Sequence, residues 1–158
     1  MHQIQVKQFL IAKKFPPTEG WSVSVHLDGM ELGRGFQNPV GKRSVAEKCR
    51  RWFERNGVRT GPNREYNNLD IVAVHKSAGT HLIEVEGDTR RQPEQAIYCA
   101  LGQLICKTPE DGSNSILGIA VPNSPKWEEL LQRIPRSVRD RLKLKAYLVD
   151  DNGNVRQL

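Results

Sequence analysis

The stretch LIEVEGD, Leu82 to Asp88, decides how this chain is read. Leu82, Ile83 and Val85 mark a strand bound for a core, yet acids interrupt it at Glu84 and Glu86. Strand side chains alternate with period two, so Leu82, Glu84 and Glu86 share one face and Ile83 and Val85 the other. Upstream, NLDIVAVHK sets Asp70 in a second apolar run, and SAG separates the two runs. That pattern predicts a β-hairpin, which can bring Asp70 close to Glu84 or Glu86. Carboxylates gathered in a partly buried place repel one another unless something compensates them. A hard divalent cation is the natural compensator, because Mg²⁺ takes one or two carboxylates and fills its shell with water and phosphate oxygens.

Working outward, PEQAIYCALGQLICK is predicted as a helix, with Pro93 in its first turn and Ile97, Ala100, Leu101, Leu104 and Ile105 on its buried stripe. SILGIAVP is a continuous apolar strand, as in a sheet covered on both faces. The helix between them is long enough for a parallel crossover. PKWEELLQRIP and SVRDRLKL read as short helices, and KAYLVDD as the last strand before the turn DDNGN. SVAEKCRRWFERNG is predicted as a helix capped by Ser44, with Glu47 completing a capping box and Gly57 ending it. IQVKQFLIA and WSVSVHLDG read as strands, separated by the loop KKFPPTEG. The sum is a single α/β domain over residues 1–158. It has an N-terminal β extension over 1–42 and a core over 43–158, built as a mixed central sheet flanked by helices on both faces.

Bulk properties narrow the function classes. A chain of 158 residues supports one core, and 37% hydrophobic with 27% charged residues predicts a globular, soluble chain rather than a disordered one. No apolar run is long enough to span a membrane, and MHQIQVKQFL lacks a signal-peptide pattern. Three cysteines without a CxxC pair fit a reducing, cytoplasmic setting and exclude a zinc pattern. The net charge of +6 favours a polyanionic partner, nucleic acid being the commonest. Walker-type, G-x-G-x-x-G and G-x-S-x-G motifs are absent, which argues against nucleotide-dependent or serine-hydrolase chemistry.

Asp70, a short hairpin, Glu84-Val85-Glu86 and a following helix together resemble the PD-(D/E)xK nuclease superfamily, the restriction-endonuclease-like class. The resemblance covers roughly residues 43 to 150. It implies that Asp70 and Glu84 hold Mg²⁺ or Mn²⁺, and that Glu86 stands where the motif has its lysine. Leu69 replaces the motif proline. Lysine at position 86 would bring a cation beside the nucleophile, whereas glutamate brings another anion. Some restriction enzymes work with glutamate there, so the exchange implies greater metal dependence. The resemblance makes the chain a metal-dependent nuclease cutting phosphodiester bonds, with DNA the expected substrate and Asp70, Glu84 and Glu86 as catalytic residues and metal ligands. Glu86 would orient or deprotonate the attacking water. Asp70→Ala is expected to abolish cleavage and leave the fold intact.

Arg90 and Arg91 follow the acids and suit a phosphate clamp; Lys42 and Arg43 precede the first core helix and can track a nucleic-acid backbone. Solvated surface charge explains these basic residues as well. Gln95, Cys99 and Gln103 fall on one helix stripe; Gln95 is the candidate contact to a phosphate or a metal-bound water, and the other two read as boundary residues. Glu47 is explained by capping alone. His26, His75 and His81 lack metal spacing and read as surface or boundary residues. Partners are then nucleic acid, no membrane, and a second copy of the chain if both strands of a duplex are cut. Two other readings stay open. One is a nucleic-acid-binding module that kept the fold and lost the chemistry. The other is a protein-interaction subunit of a defence or mobile-element system.

Overall fold

The hairpin is formed by β3 (Ile71–His75) and β4 (Gly79–Val85), paired antiparallel with Ile71 opposite Ile83 and His75 opposite Gly79. Gly79 takes φ +81°, the left-handed conformation that lets so short a loop close. The computed structural model describes residues 1–32, 41–88, 92–110 and 114–158. After β4, α3 (Pro93–Lys107) crosses over to β5 (Ile116–Pro122), which lies parallel to β4, as its length predicted. Two short helices, α4 (Pro125–Gln132) and α5 (Arg136–Arg141), lead to β6 (Lys145–Val149), parallel to β5. A further strand, β7 (Val155–Gln157), returns antiparallel to β6. On the other side, β1 (Ser22–Val25) pairs antiparallel with β3, and β2 (Arg59–Thr60) closes the edge. Among the described residues the sheet has seven strands, in the order β2-β1-β3-β4-β5-β6-β7.

Alternation along the strands divides the core in two. Ile71, Ala73, Ile83 and Val85 face α1 (Gln3–Lys14) and α2 (Lys42–Arg55), while Val72, Leu82, Ile119 and Leu148 face α3 and α4. Helices therefore cover both faces of a mixed sheet, as the sequence predicted. No helix among the described residues is long and apolar enough to cross a membrane.

Four local expectations are corrected. IQVKQFLIA is not a strand: residues 3–14 are helix α1, because Ile4, Lys7 and Ile11 are all fully buried at spacings of three and four. Among the described residues the N-terminal segment thus contributes the strand β1 and the core helix α1. Ser44 does not cap α2, which starts at Lys42 after Gly41; Glu47 instead pairs with Arg43 at 3.6 Å and Arg51 at 3.9 Å. Ile105 is exposed rather than part of the buried stripe of α3. His81 is buried against Phe15 and Trp21, not a surface residue.

One glycine fixes how α1 meets the sheet. A Cβ on Gly87 would lie 2.9 Å from the Cα of Gln3, and closer still to its backbone nitrogen. The glycine that ends LIEVEG lets the first turn of α1 rest directly on the end of β4. Asp88 N then donates to Met1 O at 2.9 Å, extending that contact.

Candidate active site

One step along the ladder from Ile71 and Ile83, Asp70 stands opposite Glu84. Both side chains are buried, and their carboxyl groups hydrogen-bond each other. Asp70 is held from three directions. Val85 N donates to Oδ2 at 2.9 Å, Gln3 Nε2 donates to the same oxygen at 3.1 Å, and Lys7 Nζ lies 2.7 Å from Oδ1. Lys7 also donates to Glu31 at 2.7 Å and to His26 O at 2.8 Å. Its ammonium thereby has one acceptor for each N–H, which is how a fully buried lysine stays charged. Glu31 is fixed in turn by Asp28, whose backbone N–H donates to it at 3.1 Å.

Glu84 has its own cation. Lys107, in the last turn of α3, places Nζ 2.8 Å from Glu84 Oε1 and 2.7 Å from Gln103 Oε1. The two acids diverge electrostatically. Burial would raise Asp70, but the Lys7 charge and the hydrogen bonds from Lys7 and Val85 outweigh it and hold this carboxyl below the usual range. Burial, and next the Asp70 charge, push Glu84 up to about 8 despite Lys107. Of the two acids, Glu84 therefore keeps its proton to the higher pH.

A cleft of about 510 Å³ opens beyond the residues that surround this pair, and neither Asp70 nor Glu84 lines it. Its walls include Gln3 from α1, Glu31, Lys42 at the start of α2, and Gln95 and Gln103 from α3, with Glu86 just beyond β4. Cys99 lines it too, so the whole stripe 95-99-103 faces the cleft, including the two positions read as boundary. Of the predicted set, the structure brings Asp70 and Glu84 into contact and places Glu86, Gln95 and Lys42 on the neighbouring cleft. Arg43 is an exposed residue paired with Glu47. Arg90 and Arg91 lie outside the described residues.

The donor set bears on what cation could sit here. Among the described residues no three His, Cys, Asp or Glu side chains gather where they could hold a metal ion. Asp70 and Glu84 are the hard carboxylates that would hold a Mg²⁺ or Mn²⁺ ion; Asp70 Oδ1 meets Lys7, Asp70 Oδ2 meets Val85 N and Gln3 Nε2, and Glu84 Oε1 meets Lys107, so an ion would have to share or displace these partners.

Three contributors were missed in the sequence: Lys7 and Gln3, because their segment read as a strand, and Lys107, because it lies far from the acids along the chain. The 95-99-103 spacing extends by one more turn to 107, and that was the available signal for the last.

The fold is similar to the crystal structure of an XisH family protein from Nostoc punctiforme PCC 73102, at 15% identity, with 99% of this chain and 98% of that one covered and a TM-score of 0.50. It is also similar to a fdxN element excision controlling factor protein from Anabaena variabilis, at 17% identity, with 99% and 95% covered and a TM-score of 0.48. No family model and no curated protein matches the chain. The likeness to the XisH family structure establishes the architecture: an α/β fold with a mixed sheet between helical layers.

Proposed function

We propose that this chain is a Mg²⁺- or Mn²⁺-dependent nuclease that hydrolyses phosphodiester bonds, with DNA as the expected substrate. The observation that carries the reading is the opposition of Asp70 and Glu84 across β3 and β4, buried, with Gln3 linking Asp70 to the wall of the neighbouring cleft. A cation bound there supplies charge neutralisation at phosphate and a more acidic water. The residues of the chain do the remainder. Lys7 and Val85 N keep Asp70 ionised and aimed, and Gln3 ties that carboxylate to the cleft wall. Glu86, in the cleft, orients or deprotonates the attacking water. Lys42 and Gln95 hold the phosphate backbone.

The test offers supercoiled, linear, branched and single-stranded nucleic acid to wild type, Asp70→Asn and Glu84→Gln, with Mg²⁺, Mn²⁺ or chelator. Cutting that needs metal and disappears in both variants is expected. Absence of metal-dependent cutting on every substrate, or its survival in both variants, would overturn the reading.

A second reading has its own observation. Lys7 and Lys107 already neutralise the acid pair, and Glu86 replaces the motif lysine. On that reading the chain binds nucleic acid through the cleft rim without metal, and its affinity falls with salt.

A further inference from the structure

The two lysines at the acid pair are not equivalent. Lys7 is wholly buried, meets three acceptors and is enclosed by Asp70, Glu31 and the His26 carbonyl. Lys107 sits on the last turn of α3 with a quarter of its side chain exposed. Its partners are Glu84 at 2.8 Å, Gln103 at 2.7 Å and, at 3.5 Å, the Asn68 carbonyl. Gln103, which holds the ammonium from the helix side, itself lines the cleft. A four-carbon stem with solvent at its side can swing away, whereas Lys7 cannot leave without opening the core.

We propose that the Lys107 ammonium occupies the cation position at Glu84, and that a divalent cation enters the site by displacing it. The proposal rests on the two-carboxylate cation site of the nuclease reading. An ammonium and a divalent ion cannot both approach the same carboxylate oxygen closely, because their like charges repel at short range. Glu84 therefore has one cation at a time. Lys107 acts as a tethered competitor that sets how much free metal the protein needs. Once displaced, it remains on the α3 wall beside the cleft. Cations that bind carboxylate too weakly to displace an ion pair are rejected, so the same lysine selects for divalent ions over monovalent ones.

The test is direct Mn²⁺ binding, read by the electron paramagnetic resonance of free Mn²⁺. It uses wild type, Lys107→Met, Lys107→Arg and Glu84→Gln, and is made where apparent affinity no longer changes with pH. Lys107→Met is expected to bind Mn²⁺ at least tenfold more tightly than wild type, about 1.4 kcal/mol. Lys107→Arg keeps the charge and should stay near wild type, and Glu84→Gln should lose the site. A wild type too weak to measure beside a Lys107→Met variant that binds would also support displacement. Equal or weaker binding by Lys107→Met, binding that survives Glu84→Gln, or no binding in any variant overturns it. Failure of the nuclease reading shows separately, as wild type that binds Mn²⁺ and cuts nothing.

Discussion

Lys7 on α1 and Asp70 at the head of β3 are joined at 2.7 Å, with the lysine wholly excluded from water. One ammonium thereby holds two acids, Asp70 and Glu31, that come from distant parts of the chain. Each partner's ionisation depends on the others. Burial would strip Lys7 of its proton, but Asp70 and Glu31 outweigh it and raise its pKa.

Lys7→Met leaves two buried carboxylates without a cation. Breaking a buried pair in this way costs about 3–5 kcal/mol. Urea denaturation should show that loss, and adding Asp70→Asn should restore part of it. Independent, additive effects of the two changes would show that the pair is not coupled as described.

Asp70→Ala does more than remove a carboxylate from the acid pair. It takes away the acceptor for Val85 N and strands a buried donor, at about 1–3 kcal/mol. Asp70→Asn keeps an acceptor oxygen, so it should lose less stability than the alanine variant. Thermal melts of both check this, and equal losses would contradict it. For the cleavage assay the asparagine is the cleaner substitution.

Gly87→Ala places a methyl against the backbone of Gln3. Helix α1 must move, at a cost of about 1–3 kcal/mol, and the bond from Gln3 to Asp70 is the first to stretch. Faster amide exchange across residues 3–14, together with a lower melting temperature, is the expected result. Unchanged exchange there would mean that α1 tolerates the displacement.

His81 gives stability a pH dependence. Burial, and then the charge of Lys145, lower its pKa to about 4. The folded state therefore resists a proton that the unfolded chain accepts near pH 6.5. The contribution is complete above that pH and is lost as pH falls towards about 4, by at most about 1.4 kcal/mol per pH unit. Glu84, raised to about 8, works in the opposite sense, losing its contribution as pH rises from the ordinary carboxylate range towards 8. Subtracting the stability curve of His81→Phe from that of wild type isolates the histidine, and a flat difference between pH 4 and 6.5 would refute it.

The hairpin and the crossover were legible in the sequence because their signals are local. Alternation, the SAG loop and the length of the next helix fixed the pairing of β3, β4 and β5, and with it the meeting of Asp70 and Glu84. Helix α1 was hidden by the residue that makes it interesting. Lys7 sits at the centre of its buried stripe, so an apolar pattern of period 3.6 is broken there, and the short alternation of Ile4 and Val6 reads as strand. Strands β2 and β7 are two and three residues long, too short for any period to show. The two lysines come from helices remote in sequence, and only tertiary packing reveals which acids they meet.

Helix α1 precedes in the chain every strand that covers it. When it leaves the ribosome, the strands that cover its apolar stripe have not yet been synthesised, and Lys7 has neither Asp70 nor Glu31 to meet. Docking of α1 beside Gly87 waits for most of the chain, since its core neighbours include Ala120, Tyr147 and Val149. Asp70 acquires its ionising partner only at that moment. The charge state of the acid pair is therefore tied to completion of the core on the α1 side of the sheet.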